Sequence, residues 1–409
     1  MNYPSLIKRQ LQQLGKLPQP TQEAITHSCK LHEYLLNLFS QNEGAIPFDQ
    51  FMQQALYAPG MGYYSAGAEK IGASGDFITA PEISPLFSEA IAQQVDQILS
   101  LCGKEDGTQA DILEFGAGRG IMAVDILKRL DELSRLPENY YILEVSAELK
   151  QRQKNTIQKN IPELAYRVIW LDSLPNEGFQ GVILANEVVD AMPITLFEKK
   201  KQKFIEKSVD WKNGCWQFQD SMAENPKLQQ WGLALETRLD CNFAEGYISE
   251  RNPRQNAWME SLAKILVKGM VLIIDYGFSE KEYYHPQRQG TLMCHYRHFV
   301  HDNPLVLLGL QDITAHVDFT SLAQTAFESG LQVHGFTDQG TFLTNCGILK
   351  RMEQLGGIDD EKISRYSQQI KLLILPSEMG ELFKVIAMTK GCQNETLIGF
   401  QFGDKRSRL

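Results

Sequence analysis

Three glycines at alternate positions follow a short apolar run in the segment DILEFGAGRGIMAVDIL: Gly116, Gly118 and Gly120. From Ile121 the apolar residues recur with a helical period, so the pattern predicts a strand, a glycine turn and a helix. Such a turn presents backbone N–H groups at a helix N-terminus, where an anionic or flat ligand can bind. The segment therefore predicts a ligand site, with a plain glycine turn between strand and helix as the alternative.

The spacing of these glycines distinguishes between three kinds of ligand loop. A nucleotide-triphosphate loop would need Gly-Lys-Ser/Thr at its end, where this chain has Arg119, Gly120 and Ile121. A dinucleotide fingerprint would need Gly or Ala at position 121. The spacing G-x-G-x-G, after a strand that carries the acid Glu114, is instead similar to motif I of S-adenosylmethionine-dependent methyltransferases. Glu114 is therefore a candidate cofactor residue.

Polar residues also end the three following apolar runs. Glu144 ends YYILEV, where an acid can accept hydrogen bonds from two ribose hydroxyls. Asp172 and Ser173 end the next run, where methyltransferases of this class place a side chain on the adenine amino group. Asn186 ends GVILAN. Because the carboxyl ends of parallel strands meet at one edge of the sheet, we expect these residues to line one cleft.

Two further acids, Glu187 and Asp190, follow in ANEVVDAMP. On a helical turn their spacing would place them on one face. Two carboxylates beside a methyl donor suit a guanidinium nucleophile, whose donors they bind and whose charge they neutralise. The alternative is a solvated helix start at which acids are favoured by the helix dipole, with Asn186 as its cap.

Five blocks in order give the chain a more specific resemblance. They are GDFITAPEISPLFSEAIA (75–92), LEFGAGRG (113–120), ANEVVDAMP (185–193), DYG (275–277) and DITAHVDFTSL (312–322). Together they resemble the MidA family of class I methyltransferases, which is related to the mitochondrial complex I assembly-factor methyltransferase. The resemblance extends over nearly the whole chain, from about Leu31 to Thr389.

This resemblance implies an activity and a set of cofactor residues. The activity is methyl transfer from S-adenosyl-L-methionine to an arginine of a protein substrate, which in mitochondria is a core subunit of the respiratory NADH dehydrogenase. The residues that match the family's cofactor-lining N-terminal motif are Gly75, Asp76, Thr79, Pro81 and Glu82. Gly116, Gly118 and Gly120 match its motif I.

Histidines occur in two segments with spacing that could support chemistry. QDITAHVDF offers Asp312, His316 and Asp318 as a base with orienting acids, and His316 is the candidate base; the alternative is a buried histidine with a structural partner. CHYRHFVH contains one cysteine and three histidines, but it lacks a second ligand cluster, so we predict no metal site.

The elements that must position these residues are five apolar runs separated by crossover-length segments: 111–115, 140–145, 166–171, 181–186 and 270–277. They predict an α/β fold with a doubly wound, Rossmann-like parallel sheet. LQVHGF (331–336), KVIAMT (384–389) and LIGFQF (397–402) are candidates for the last strands. The segment around KNG predicts a small β-meander. FEKKKQKFIEK is interpreted as a solvated strand face, with binding to an acidic partner as the alternative.

The predicted domain organisation has a helical N-terminal region, 1–105, with a cofactor-covering loop at 65–85. A Rossmann-like methyltransferase domain, 106–409, follows. It contains an insertion after the fourth strand, 192–268, and a second insertion, 278–320, because these segments are too long for connections without structure of their own.

Composition limits the class of protein. Forty basic and fifty acidic residues give a net charge of −10, which disfavours a nucleic-acid partner. No apolar run approaches the roughly 18 residues needed to cross a bilayer, so no membrane insertion is expected. Seven scattered cysteines without a C-x-x-C pair favour a reducing compartment, either the bacterial cytoplasm or, as the alternative, the mitochondrial matrix.

Two other classes of function stay open at this point. One is a non-catalytic assembly factor that keeps the cofactor pocket, and the other is a nicotinamide-dependent oxidoreductase on the same core. The sequence leaves the oligomeric state open, a homodimer being one option.

Overall fold

The computed structural model describes residues 3–15, 17–42, 44–65, 79–103, 109–176, 178–356, 360–392 and 396–409. The helices in these residues are α1 (Tyr3–Gln13), α2 (Gln22–Gln41), α3 (Phe48–Tyr57), α4 (Ala80–Ile83), α5 (Pro85–Leu101), α6 (Ile121–Glu132), α7 (Ala147–Asn160), α8 (Pro226–Leu239), α9 (Pro253–Ile265), α10 (Glu280–Tyr283), α11 (Phe319–Glu328), α12 (Gln339–Asn345), α13 (Ile348–Gly356), α14 (Asp360–Ile374) and α15 (Met379–Leu382). The strands are β1 (Ile46–Pro47), β2 (Asp111–Phe115), β3 (Tyr140–Leu143), β4 (Val168–Leu171), β5 (Phe179–Asn186), β6 (Thr195–Lys200), β7 (Lys203–Lys212), β8 (Cys215–Asp220), β9 (Ile248–Arg251), β10 (Leu266–Phe278), β11 (Met293–Tyr296), β12 (Phe299–His301), β13 (Asp312–Thr314), β14 (Val317–Asp318), β15 (Gln332–Asp338) and β16 (Phe383–Lys390).

The chain forms two compact units. The first unit contains Met1–Phe77, Asp190–Gln255 and Glu280–His316, and the second contains Ile78–Val189, Asn256–Ser279 and Val317–Leu409. The sheet unit, as we call the second, thus includes α5, which lies before the domain boundary predicted at residue 105. The division into a helical region, 1–105, and a methyltransferase domain, 106–409, stays a prediction.

An eight-stranded sheet forms the centre of the sheet unit, in the order β4-β3-β2-β5-β10-β16-β15 with β14 beside the end of β10. Strands β2, β3, β4, β5 and β10 are parallel, and β16 is antiparallel to both neighbours. The chain passes from β2 to one edge and resumes at β5 on the other side of β2. The prediction of a doubly wound α/β sheet is confirmed, and its strand order reverses between β2 and β5, where ligands bind in such folds.

The central strands of this sheet are buried on both faces, which explains why their sequences are mainly apolar. On one face, residues such as Ile112, Val182 and Leu272 belong to a core shared with α5 and α6. On the other face, the ring of Phe115 lies 5.3 Å from that of Trp258 in α9.

Local sequence fixes where the helices of this unit begin. Ser84 accepts a hydrogen bond from the backbone N–H of Leu86, and Pro85 occupies the first turn of α5. Ser146 caps α7 in the same way through the N–H of Leu149.

The insertion unit, as we call the first unit, contains two antiparallel sheets. One has the order β1-β7-β6-β9 with β8 paired to β7, and the other has the order β12-β11-β13. The predicted β-meander is confirmed. Its KNG turn joins β7 to β8, with Asn213 and Gly214 at φ values of +55° and +74°, as a type I′ hairpin requires.

Two local expectations were wrong. The FEKKK segment is not a fully solvated face: Lys199 is 3% exposed and donates to both carboxylate oxygens of Glu236, at 2.9 and 2.8 Å. Its ammonium also lies 4.2 Å from the ring centroid of Phe204. The reason is that α8 packs against β7 and covers these side chains.

LIGFQF was predicted as a strand, and instead it contains a short 3-10 helix, Ile398–Phe400. Side chains from α5 bind its backbone: Gln97 accepts from the N–H of Ile398 and Gln94 from that of Gly399, each at 3.0 Å. These donors are therefore satisfied without a sheet neighbour. None of the helices described is long and apolar enough to span a bilayer.

Candidate active-site residues

The glycine turn of the sheet unit has a backbone that residues with a side chain would rarely adopt. Gly116, Gly118 and Gly120 have φ values of +59°, +53° and +82°. Gly120 is also the N-cap of α6. A Cβ atom built on Gly116 would lie 3.0 Å from a methyl group of Val188. The turn thus needs glycine both for its conformation and for the close approach of the β5 loop.

The Glu144 carboxylate lies just beyond β3 and is buried. Its Oε1 accepts from the backbone N–H of Ser146 at 2.8 Å, and its Oε2 accepts from Nε2 of Gln153 at 3.0 Å. Burial is the largest influence on this carboxyl and raises its pKa above the ordinary value. The same Nε2 donates to the carbonyl oxygen of Gly118 at 3.0 Å. Gln153 of α7 therefore joins the glycine turn to Glu144.

Glu114, predicted as a cofactor residue, lies in the core of the sheet. It is 1% exposed, and its Oε2 accepts a 2.6 Å hydrogen bond from the hydroxyl of Tyr140. Burial raises the pKa of Glu114 to about 7. Its contribution as a direct cofactor contact stays a prediction.

The two residues predicted near adenine are exposed. The side chain of Asp172 is 90% exposed and accepts a 2.6 Å hydrogen bond from Nζ of Lys150, which holds the pKa of Asp172 below its usual range. Ser173 follows it and is exposed as well. Their adenine contact stays a prediction.

The segment after β5 is a turn rather than the helix that the sequence suggested, so Asn186 caps no helix there. Glu187 has a φ of +53°, and its N–H continues the sheet pairing to the carbonyl of Ile274 at 2.9 Å. Nδ2 of Asn186 donates to Oε1 of Glu187 at 3.1 Å. A glutamate in the left-handed backbone region is uncommon, and such backbone strain concentrates at functional sites.

A buried carboxylate of β10 holds this turn. Oδ2 of Asp275 accepts from the backbone N–H groups of Val188 and Val189, at 3.2 and 3.0 Å, and Oδ1 accepts from that of Tyr276. Asp275 is fully buried, so these bonds form away from bulk water. The position of the turn is therefore set by the neighbouring strand.

Asp190 belongs to the insertion unit, where it is 5% exposed. Its carbonyl accepts from the N–H of Ala315 at 2.9 Å. Tyr64 donates a 2.8 Å hydrogen bond to Oδ2 of Asp312, and burial together with the charges of Asp312 and Asp190 raises the pKa of Tyr64 well above its ordinary value. The charges of two carboxylates from different segments thus act on the Tyr64 hydroxyl, and the Asp312 carboxylate also binds it.

His316, the proposed base, lies two residues after β13. Its backbone N–H donates to Oγ1 of Thr291 at 2.9 Å. Asp318 belongs to the sheet unit, where it caps α11 by accepting from the N–H of Ser321. The catalytic role of His316 stays a prediction.

The N-terminal motif is described in part. Thr79 is the N-cap residue of α4, Pro81 lies in its first turn, and Glu82 approaches Arg119 of the glycine turn at 3.4 Å. Gly75 and Asp76 lie outside the described residues.

Sequence reasoning missed two residues that hold the site, Gln153 and Asp275. The sequence around Gln153 is that of a polar helix with several glutamines, and no pattern in it distinguishes Gln153 from the others. Asp275 stands in the DYG block, which was used only for the family resemblance.

These side chains fit S-adenosyl-L-methionine chemically. Its ribose hydroxyls and its ammonium group are donors, and the sheet unit offers acceptors at the strand ends. The Glu144 carboxylate is one, and Oδ1 of Asn186 is another, a buried oxygen that accepts no hydrogen bond from the described residues. The glycine turn supplies N–H groups and a close backbone approach.

Residues 90–337 match the family model described as an S-adenosyl-L-methionine-dependent methyltransferase. The chain belongs to this family. The match confirms the resemblance to MidA-type methyltransferases, and it makes the chain an enzyme that uses S-adenosyl-L-methionine rather than a nicotinamide oxidoreductase.

Solved and curated relatives agree with the assignment to this methyltransferase family. A Burkholderia thailandensis protein crystallised with S-adenosyl-homocysteine is 39% identical, with a TM-score of 0.90, and the match covers 96% of this chain and 100% of that one. The zebrafish protein named mitochondrial protein arginine methyltransferase NDUFAF7 is 29% identical over 84% of this chain and 83% of its own length. The human protein of that name is 27% identical, covering 85% and 81%.

Proposed function

We propose that this methyltransferase transfers a methyl group to a guanidinium nitrogen of an arginine in a protein substrate. The observation that carries the proposal is the match, over most of both chains, to relatives named protein arginine methyltransferases. The family resemblance extends the proposal to a target class, a subunit of an NADH dehydrogenase type respiratory complex. The cytoplasm of a bacterium is the proposed location.

We propose that the cofactor binds at the edge of the sheet between β2 and β5. The glycine turn would approach its amino-acid end, and Glu144 would accept from its ribose hydroxyls. Asn186 would offer Oδ1 to a donor of the cofactor. When bound, S-adenosyl-L-methionine supplies an electrophilic methyl group on a sulfonium.

Glu187 and Asp190, three residues apart in the chain, would supply the carboxylates that bind and orient the guanidinium. Arginine presents its N–H donors in a planar fork, which carboxylates match in geometry and charge. Holding the nitrogen in line with the methyl group could contribute roughly 7 to 11 kcal/mol to lowering the barrier. The nitrogen loses one proton on methylation, and His316 or a carboxylate is the proposed acceptor.

The test uses the full chain and an extract from cells that lack it. Labelled S-adenosyl-L-methionine is added, and the labelled band is identified by mass spectrometry with fragment ions that locate the methyl group. The expected result is label on arginine of an NADH dehydrogenase subunit. The matched control is the Glu187→Gln chain at equal concentration, which should label the same band far more slowly.

Other outcomes separate the alternatives. Label on lysine, glutamine or a carboxyl side chain would refute the arginine proposal and leave the methyltransferase assignment intact. Binding of S-adenosyl-homocysteine with no label in any protein of the extract would instead favour a non-catalytic assembly factor.

A further inference from the structure

Gln153 has three hydrogen bonds and no exposed surface. Its Nε2 donates to the carbonyl oxygen of Gly118 and to Oε2 of Glu144, both at 3.0 Å, and its Oε1 accepts from Nε1 of Trp170 at 2.9 Å. The residue is 0% exposed. One side chain thus connects the turn after β2, the end of β3 and the strand β4.

The chemistry of these partners fixes the orientation of the amide. An indole N–H can only donate, so the oxygen of Gln153 must face Trp170. The NH₂ group is then directed at two acceptors, a carbonyl and a carboxylate. An ionised carboxylate makes the stronger kind of hydrogen bond, and burial strengthens it further.

The contact with the glycine turn is also steric. A Cβ atom on Gly120 would lie 3.4 Å from Cα and 3.5 Å from Cβ of Gln153. The α7 backbone therefore lies against the end of the turn, and a shift of α7 would move the turn and the Glu144 carboxylate together.

We propose that Gln153 is the positioning residue of the cofactor site, holding Gly118 and Glu144 at the fixed separation that the amino-acid end and the ribose of S-adenosyl-L-methionine require. Gln153 contacts neither group of the cofactor itself; it acts through the two residues that do. This inference rests on the proposed placement of the cofactor at the glycine turn and Glu144.

The first test is Gln153→Glu in the full chain. The substitution keeps the size of the side chain and an acceptor for Trp170, but it removes the NH₂ donor and places a second carboxylate beside Glu144. We expect the Kd for S-adenosyl-homocysteine, measured by calorimetry at pH 8, to rise at least tenfold. Two adjacent carboxyls hold a shared proton more readily as the pH falls, and that proton restores one hydrogen bond. The ratio of the variant Kd to the wild-type Kd should therefore decrease towards pH 6.

The matched control lies on the same helix. Gln151 is exposed and donates to Asn155 at 3.1 Å, so Gln151→Glu makes the same change in charge two residues away. Its Kd should stay within twofold of wild type at both pH values. In turnover assays, Gln153→Glu should raise KM for S-adenosyl-L-methionine more than it lowers kcat, because saturating cofactor restores the bound geometry.

A second variant covers the case in which Gln153→Glu does not fold. Trp170→Phe keeps Gln153 and an aromatic ring at position 170, but it removes the indole N–H that orients the amide. A threefold to tenfold rise in the Kd is expected. Wild-type affinity at both pH values in each of these two variants that folds would overturn the proposal.

A third variant, Glu144→Ala, shows whether a negative result refutes the positioning role of Gln153 or the proposed placement of the cofactor. If Glu144→Ala loses affinity while the Gln153 and Trp170 variants keep it, the cofactor placement stands and the positioning role is wrong. If Glu144→Ala also keeps its affinity, the proposed placement itself is wrong.

Discussion

The hydroxyl of Tyr140 donates a 2.6 Å hydrogen bond to Oε2 of Glu114 inside the sheet unit. Burial raises the pKa of Tyr140 well above its ordinary value, so this group keeps its proton and stays a donor. Burial also raises the pKa of Glu114 from 4.5 to about 7. The pair makes the stability of the sheet unit depend on pH.

The direction of this dependence follows from proton binding. Between about pH 4.5 and 7 the folded chain keeps the Glu114 proton that the unfolded chain has lost, so stability decreases as the pH rises through this range. The loss is roughly 2–4 kcal/mol when complete. Glu114→Gln should remove it, which urea unfolding at pH 5 and pH 8 can measure. An equal pH dependence in the variant and the wild type would contradict the prediction.

Gly116→Ala should weaken both the fold and cofactor binding. The new methyl group would meet Val188 at 3.0 Å, and the φ of +59° disfavours a Cβ, so we expect about 1–2 kcal/mol of destabilisation. The Kd for S-adenosyl-homocysteine should rise at least tenfold. Gly103→Ala is the control, because its Cβ would meet no atom within 4 Å, and it should behave as wild type.

Glu187→Gln and Asp190→Asn should lower kcat and leave cofactor affinity nearly unchanged. Each removes a charge from the proposed guanidinium contact, and a hydrogen bond to a charged group contributes about 1.5–3 kcal/mol, which corresponds to roughly a 10- to 150-fold loss of turnover. Labelled methyl transfer and calorimetry measure the two quantities. Glu163→Gln, an exposed acid of the sheet unit, should have no effect. Equal loss of cofactor binding in both variants would place these acids on the cofactor instead.

Asp275→Asn should loosen the turn after β5. The variant offers one amide oxygen in place of two carboxylate oxygens, so at least one of the three backbone N–H groups that Asp275 binds loses its partner. An amide oxygen is also the weaker acceptor for any N–H group that keeps its bond. We expect faster hydrogen exchange at Val188 and Val189, together with a fall in kcat of about tenfold. Asp131→Asn, at the exposed end of α6, provides the control. Unchanged exchange at both valines would show that another contact holds the turn.

The sequence predicts the central strands of the sheet well because both of their faces are buried. The runs at 111–115 and 181–186 are mainly apolar, with polar residues at Asp111, Glu114 and Asn186, and they become β2 and the last part of β5. The failure at 397–402 has a physical reason. Its backbone binds Gln94 and Gln97 of α5, contacts over some three hundred residues of chain that no local pattern contains.

In the candidate site too, local features can be predicted from the sequence and contacts between distant segments cannot. Gly116 and Glu144 can be predicted, because a glycine turn and an acid at a strand end are local features. The contribution of Gln153 depends on which face of α7 lies against the turn, and that is decided by packing. The helix suggested for Glu187 and Asp190 was wrong because sheet pairing to Ile274 and the Asp275 carboxylate impose a turn on those residues.

The left-handed backbone of Glu187 has a consequence for engineering. A glutamate at φ +53° costs the fold on the order of 1–3 kcal/mol, which glycine or asparagine would largely recover. In a library of variants selected only for heat resistance, substitutions of Glu187 should therefore appear early. The selected variants should be thermostable and have little turnover. Selection for turnover should restore glutamate at the expense of melting temperature, so position 187 is where the two selections would diverge.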